Sequence, residues 1–459
     1  MFIFATLYLE CVWLSLISHV SFFDIKVKLM GARGFLGRLF SPITDPLRRE
    51  FWFITGNYRI LLISWVIMDL AMEMPHPYYQ PYVQEVLGGK DFPMALGLIG
   101  LANFFAMAAV AFPGGYLADK YGRRWLITTM TFGLAGSFLL YAFAPSWHFI
   151  LVGATLQGLC LIYQPALFAM VQDSLPPERR GTGSSLIQMI HGTFNTPGPI
   201  IGGFLLLMFG LEGSMRIVYL IVTTLYLTAA IWRLRLKETI KDVEPMRFRY
   251  FISMYPKAIK ESFKVWKVVP RSVLWLFFIQ VCVMFSNALV NVINALYAIN
   301  VLGIPKEQWF LTFIPLLLTM MLISIPVGKM VDRFGTRIPL TLGPIVLAAA
   351  LLIFVNGNFY TIMISMALLG LVHLLVMSSG MVLSATLVEP ENRGKVRGFL
   401  NFMGNIFTGI GMLLGNFLYN MMPQLPFYVT ALLAIPMVLI AVLFIQEPKK
   451  QAAAKQITN

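Results

Sequence analysis

The 459-residue sequence predicts an all-α membrane protein with twelve transmembrane helices arranged as two pseudo-symmetric six-helix bundles. Three observations predict it. Hydrophobic residues make up 58% of the chain and charged residues only 12%, where a soluble domain carries about 25% charged residues. Twelve apolar runs follow residue 57, each near the roughly 20 residues that cross a bilayer. Short motifs also recur in the two halves of the chain at nearly one displacement.

Apolar side chains on this scale have no place to hide in a water-soluble fold, so lipid is the expected solvent. The runs lie at about 58–79, 93–117, 124–144, 148–171, 183–209, 214–234, 272–300, 309–331, 338–356, 359–387, 396–420 and 426–446. Lys and Arg orient them. With the segment before residue 60 cytoplasmic and alternation thereafter, 32 of the 35 basic residues fall on the cytoplasmic side, all but Lys90, Arg216 and Lys306. A shift by one helix would reverse that bias. The expectation is a multi-pass protein of the cell membrane, with both ends of the twelve-helix unit cytoplasmic.

The chain then divides into an N-terminal extension (1–56), a six-helix bundle (57–235), a cytoplasmic linker (236–270), a second bundle (271–447) and a cytoplasmic tail (448–459). In the extension, 24–56 is basic, and 1–23 is apolar apart from Glu10 and His19. Segment 1–23 lacks the positive n-region of a signal peptide. It reads either as an extra, thirteenth helix or as sequence ahead of a start at Met30. The linker carries Lys237, Lys241, Arg247, Arg249, Lys257, Lys260, Lys264 and Lys267, a solvated segment suited to anionic lipid.

The net charge of +14 does not point to nucleic acid, because the basic residues sit between apolar runs and no nucleic-acid motif occurs. No G-x-x-x-x-G-K-[ST], H-E-x-x-H or G-x-S-x-G occurs, so neither ATP hydrolysis by this chain nor an intramembrane enzyme is expected. Cys11, Cys160 and Cys282 lie singly in apolar runs, which supports neither a disulfide framework nor a zinc site. No metal or cofactor is expected.

The repeat is visible by eye. Pro113-Gly114-Gly115-Tyr116-Leu117-Ala118-Asp119-Lys120-Tyr121-Gly122-Arg123-Arg124 follows the second run, and Pro326-Val327-Gly328-Lys329-Met330-Val331-Asp332-Arg333-Phe334-Gly335-Thr336-Arg337 follows the eighth, 213 residues later. Pro177-Glu178-Arg179-Arg180-Gly181 matches Pro390-Glu391-Asn392-Arg393-Gly394, and Gly198 and Gly202 match Gly411 and Gly415, again at 213. Tyr82 and Val86-Leu87-Gly88 match Tyr297 and Val301-Leu302-Gly303 at 215. Two parallel halves imply a pseudo-two-fold axis along the membrane normal, with a substrate path between them.

On these residues the chain resembles the major facilitator superfamily over about 57–447. The loop Gly115-x-x-x-Asp119-x-x-Gly122-Arg123-Arg124 is similar to the family's signature after helix two, and Gly328-x-x-x-Asp332-x-x-Gly335-x-Arg337 stands at its second place. The resemblance implies a gate: Asp119 facing the start of helix eleven beside Arg397, and Asp332 facing the start of helix five near Gly181–Ser185. A carboxylate at a helix N-terminus is worth about 0.3–2 kcal/mol, enough to bias conformers that differ by a few kcal/mol. The alternative is that these loops fix topology through their positive charge alone. Gly198-Pro199-Ile200-Ile201-Gly202-Gly203 on helix five resembles the family's antiporter motif, although Phe194 stands where a glycine is expected. These glycines also suit close helix packing. On helix four, Ala154 occupies the place of an arginine common in proton-coupled members, so coupling through that arginine is excluded.

Asp69 and Glu73 are the acidic residues well inside the twelve runs, about 15 Å and 21 Å beyond Arg59 at 1.5 Å per residue. Their i, i+4 spacing puts them on one helix face. Desolvation and like-charge proximity both favour the protonated form of a carboxyl, so the pair is a candidate proton carrier or cation site. Alternatively, Glu73 reaches interfacial water and a neighbouring hydroxyl caps Asp69. No Lys or Arg falls mid-run, which argues against anionic solutes. Other polar candidates are Gln157 and Gln164 on helix four, His191 and Asn195 on helix five, Asn287, Asn291 and Asn294 on one face of helix seven, and His373 on helix ten. Each suits either a solute path or an interhelical hydrogen bond.

The resemblance implies a secondary active transporter, monomeric in lipid, moving a small solute by alternating access. Proton-coupled export of apolar or cationic compounds is expected. An importer or uniporter of a neutral nutrient such as a sugar, or a transporter-like membrane sensor, is the alternative.

Overall fold

The computed structural model describes residues 51–111, 113–194, 197–240, 271–387 and 390–445. Among them the chain is helical, with no strand. Twelve passages can be followed. α1 is Gly56–Met72, α2 is Ala95–Ala111 and Pro113–Tyr121, α3 is Arg123–Ala142, and α4 is Trp147–Cys160 and Gln164–Asp173. Helix Pro197–Arg233 holds two passages that meet at Gly210, where φ of 66° and ψ of −178° reverse the chain. α5 is therefore Arg180–Phe194 with 197–209, and α6 is 211–233. α7 is Arg271–Asn291 and Asn294–Asn300, α8 is Phe313–Phe334, α9 is Arg337–Val355, α10 is Phe359–Leu387, α11 is Pro390–Met421 and α12 is Leu425–Leu443.

The apolar runs and the helices coincide to within a few residues, except where a run is interrupted. The run from residue 58 to 79 stops as a helix at Met72, because Pro75 and Pro77 cannot continue the hydrogen-bond ladder. α7 breaks at Val292–Ile293 without a proline. The two breaks are repeat-related: Tyr78 (φ −117°, ψ 1°) and Ile293 (φ −132°, ψ −1°) stand 215 residues apart in nearly one conformation. Gly122 and Gly335, 213 apart, both take positive φ (96° and 83°) at the turn after the second helix of each half. A side chain is strained there, which explains the glycine at that step of both motifs.

Packing repeats with the same logic. α1 packs on α5 and α6, α2 on α4, and α3 on α4 and α6; six helices later, α7 packs on α11 and α12, α8 on α10, and α9 on α10 and α12. The halves meet through α2 against α11 and through α5 against the residues that open α8, a pair of contacts that the pseudo-two-fold axis exchanges. Glycines set the spacing. A Cβ on Gly198 would lie 2.8 Å from Glu73 Cβ and one on Gly202 2.2 Å from the Met74 carbonyl. Their counterparts Gly411 and Gly415 meet Ala288 Cβ at 2.9 Å and the Leu289 carbonyl at 2.2 Å. A Cβ on Gly203 would run into the Phe310 ring across the halves. Away from these seams, large apolar side chains face outward. Leu432, Ile435, Leu439 and Leu443 form one exposed stripe along α12, suited to lipid tails rather than water.

Candidate transport site

One end of the bundle carries Arg123, Arg124, Arg235, Arg333 and Arg337 and is called here the basic end; the other, with Glu85, Glu212 and Lys306, is the sparse end. At the sparse end the halves are joined. Gln80, in the turn after the broken end of α1, reaches across to the break in α7. Its amide NH2 donates to the Asn291 carbonyl and to Asn294 Oδ1 (3.1 Å), and its Oε1 accepts from the Ala295 N–H at 2.9 Å. Gln80 and Ala295 are repeat-equivalent at 215, so this side chain sits on the pseudo-two-fold axis. It satisfies backbone groups that the break in α7 would otherwise leave without partners. Lys306 and Glu85 form an ion pair beside it. Asn416 Oδ1 accepts from the Gly97 N–H at 2.9 Å, and the His76 ring meets Phe313 edge-on at 5.7 Å.

Beneath this closure lies a cavity of about 290 Å³ between the halves. Its apolar wall includes Tyr79, Phe104, Phe138, Tyr141, Tyr219 and Met412, and its polar groups come from His76, Gln80, Asn103, Gln157 and Asn291. The lining contains no Asp, Glu, Lys or Arg. Tyr141 donates to Gln157 Oε1 at 3.3 Å, and Asn103 donates to the Ala154 carbonyl at 2.7 Å. Aromatic faces with a few fixed amides suit a small, uncharged or weakly cationic aromatic solute.

Asp69 lies one turn of α1 from Met72, which lines the cavity. It is buried, and its Oδ2 stands 2.8 Å from His191 Nδ1 on α5, at ion-pair distance but without hydrogen-bond geometry. The His191 ring meets Trp65 edge-on at 5.6 Å. Glu73 is half-buried at the C-terminal end of α1. The repeat is broken here: the positions equivalent to Asp69 and His191 are Met284 and Gly404, which also touch, a Cβ on Gly404 falling 2.5 Å from the Met284 sulfur. The titratable pair therefore belongs to the first half alone.

Of the other sequence candidates, Gln157 and Asn291 line the cavity. Asn294 does not share a continuous helix face with Asn287 and Asn291, because the break at Val292–Ile293 places it at the start of a new segment, where it accepts from Gln80. Asn287, Gln164 and His373 are exposed. Asn195, and the side-chain environments of Gly115, Asp119, Asp332 and Arg397, lie outside the described residues. Nothing approaches a Cβ on Gly328 within 4 Å. Pro199 is buried in α5. At the basic end, Arg123 pairs with Asp173, while Glu238, just past α6, accepts from the backbone N–H groups of Arg123 and Arg124 at 3.2 and 3.0 Å. Arg124 donates to the Leu234 carbonyl at the end of α6, and its counterpart Arg337 to the Val442 carbonyl at the end of α12. Both arginines thus cap a helix C-terminus.

One expectation is overturned. The bundle does hold a buried cation: Arg233, the last residue of α6, is fully buried. Its Nε donates to Ser64 Oγ at 2.9 Å and its Nη1 to Thr131 Oγ1 at 2.8 Å, with the Tyr163 ring 5.5 Å away. Its Cα lies at the basic end, but helical side chains point toward the N-terminus. α6 runs toward the basic end, so a long side chain at its last turn leads back into the membrane. Ser64 and Thr131 each lie eight residues into their helices, about 12 Å deep. Helix direction was the signal that could have placed Arg233 inside. Gln80 and the tyrosines of the cavity carried no comparable signal in the sequence.

Comparison with known proteins is consistent along the whole described unit. The family model described as Major Facilitator Superfamily matches residues 61–324 and 276–458. A "Na(+), Li(+), K(+)/H(+) antiporter" of Planococcus maritimus is 29% identical over 165 residues, 34% of this chain and 37% of that protein. The "Multi-drug resistance efflux pump PmrA" of Streptococcus pneumoniae is 27% identical over 249 residues, 52% of this chain and 58% of the pump. The chain thus spans less than two thirds of the length of each of these two relatives. The "Multidrug resistance protein MdtG" of Salmonella arizonae is 25% identical over 371 residues, 78% of this chain and 87% of MdtG. Among solved structures, the nucleoside transporter NupG superposes with a TM-score of 0.63 at 14% identity, covering 84% of this chain and 98% of NupG. The human organic anion transporter MFSD10 (TETRAN) gives 0.62 at 18% identity, covering 84% and 98%.

Proposed function

The chain belongs to the Major Facilitator Superfamily, and we propose that it is a proton-coupled secondary transporter that exports small apolar or cationic compounds by alternating access. The observation that carries the reading is the buried Asp69 carboxylate beside His191, one helical turn from an aromatic cavity between the halves. A protonatable pair next to a solute site is what exchange requires, since solute and proton can then compete for one conformational cycle. The antiporter and efflux relatives support the same direction of thought.

In this reading the basic end faces the cytoplasm of the cell. The closure around Gln80 is the outer gate, and Asp119 and Asp332 latch the inner rim. The unit works as a monomer of two bundles, residues 57–235 and 271–447, joined by the 236–270 linker. The test is flux of a lipophilic cationic dye in proteoliposomes under an imposed pH gradient. Dye should move against inward proton flow, and Asp69→Asn should abolish the drive; unchanged driven flux in that variant defeats the reading.

The uncharged cavity favours a second reading, a uniporter or importer of a neutral hydroxylated solute held by Gln157, Asn103 and Asn291. It predicts flux indifferent to the pH gradient in the same vesicles.

A further inference from the structure

Among the described residues only two charged side chains are buried, Asp69 and Arg233. They carry opposite signs and lie in the same bundle. No other Lys, Arg, Asp or Glu in either half is buried to that degree. A guanidinium stays charged at every accessible pH. Arg233 is held by two neutral hydroxyls and an aromatic face, and its Nη2 has no hydrogen-bond partner. A buried charge with only neutral partners is costly to keep, so its compensation must come from a charge nearby.

Tyr226 marks the connection. It lies two turns before Arg233 on α6, its hydroxyl meets Met72 Sδ at 3.4 Å, and the charges of Asp69, Glu73 and Arg233 all reach that hydroxyl. The titratable and charged groups around Asp69 are Glu73 on its own helix, His191 on α5, Tyr163 on α4, and Tyr226 and Arg233 on α6. Arg233 is the permanent cation of that set. α4 offers no cation here, since Ala154 stands where the sequence pattern led one to look.

We propose that Arg233 is the fixed countercharge of the Asp69 proton site, a positioning residue that acts on the carboxyl through the field rather than by touching solute. The proposal rests on Asp69 carrying the transported proton. When Asp69 is protonated, the Asp69–Arg233 pair bears a net charge of +1. When the O–H bond breaks and the proton leaves toward His191 or water, the electron pair stays on the carboxylate and the two charges cancel. Without Arg233 the same step would leave a buried carboxylate with no permanent countercharge, and the proton would be released only at higher pH.

The experiment titrates the Asp69 carboxyl by infrared difference spectroscopy in the full chain reconstituted in lipid, and follows the pH at half-maximal dye flux alongside. The band that disappears in Asp69→Asn identifies the group. Arg233→Gln should move its midpoint and the flux profile up by about one to three pH units, and Arg233→Lys, which keeps the charge, should restore most of the shift. An unchanged midpoint in Arg233→Gln overturns the countercharge role while leaving the proton site standing. If Asp69→Asn removes no band and leaves pH-driven flux intact, the proton reading itself has failed. Should Arg233→Gln not insert, the double variant with Asp69→Asn removes both buried charges and should insert. If Asp69→Asn inserts and the double variant does not, Arg233 serves folding only, and the proposal is overturned.

Discussion

Gln80→Ala removes the side chain that spans the pseudo-two-fold axis and with it the bonds to the Asn291 carbonyl, Asn294 Oδ1 and the Ala295 N–H. Each neutral hydrogen bond contributes a net of about 0.5–1.5 kcal/mol. Three of them stabilise closure of the sparse end by about 1.5–4.5 kcal/mol, because an open sparse end gives all these groups to water. At about 1.4 kcal/mol per tenfold change, the open-to-closed ratio should rise by about tenfold or more. Asn103 lines the cavity below the closure, so a single cysteine there, in a background without Cys11, Cys160 and Cys282, reports opening. A membrane-impermeant maleimide applied from the sparse side should label Asn103→Cys at least about tenfold faster when Gln80 is Ala. Gln80→Glu should open further, since a carboxylate would face the Asn291 and Asn294 oxygens. Equal labelling rates in all three proteins would refute the view that this side chain holds the gate.

Further outcomes are expected from other parts of the molecule. Gly202→Ala and Gly415→Ala each push a methyl to 2.2 Å from a carbonyl oxygen of the neighbouring helix, so each should cost about 1–3 kcal/mol and lower the unfolding temperature in detergent by similar amounts. Breaking the ion pair with Lys306→Gln should increase the same sparse-side labelling only about two- to fivefold, the pair being worth about 1 kcal/mol at a partly exposed site. Asp119→Asn and Asp332→Asn should insert normally and slow flux by about two- to thirtyfold, the range set by a carboxylate at a helix N-terminus; full-rate flux would reduce those loops to topology signals. Tyr219→Ala should weaken dye binding by tenfold or so, given about 0.5–1.5 kcal/mol for an aromatic contact, while Tyr219→Phe should leave it nearly intact in a fluorescence titration.

The fold was legible in the sequence because lipid imposes it. A helix must be apolar over a full crossing, and the repeat at 213–215 residues copied every structural device, from the Gly122–Gly335 turns to the Gly202–Gly415 contacts. The site was legible only in part. Asp69, Gln157 and Asn291 stand out because a polar group inside an apolar run is conspicuous. Gln80 does not stand out, since it sits in a short turn outside the spans, and its role depends on a break in α7 that no proline announces. That same break took Asn294 off the face shared by Asn287 and Asn291. Arg233 was hidden by position: its Cα belongs to the interface and only its side chain enters the membrane. The tyrosines of the cavity come from three separate parts of the first half, Tyr79 after α1, Tyr141 on α3 and Tyr219 on α6, and nothing in their local sequence marks them as neighbours.

Distances between spin labels across the two halves, one pair at the sparse end and one at the basic end, test the central claim most directly when followed against pH. Two rocking bundles coupled to the Asp69 proton predict that one distance grows as the other shrinks across a single transition, and that Asp69→Asn freezes both. Distances that stay constant with pH in the unaltered protein, or that change identically in Asp69→Asn, would contradict it.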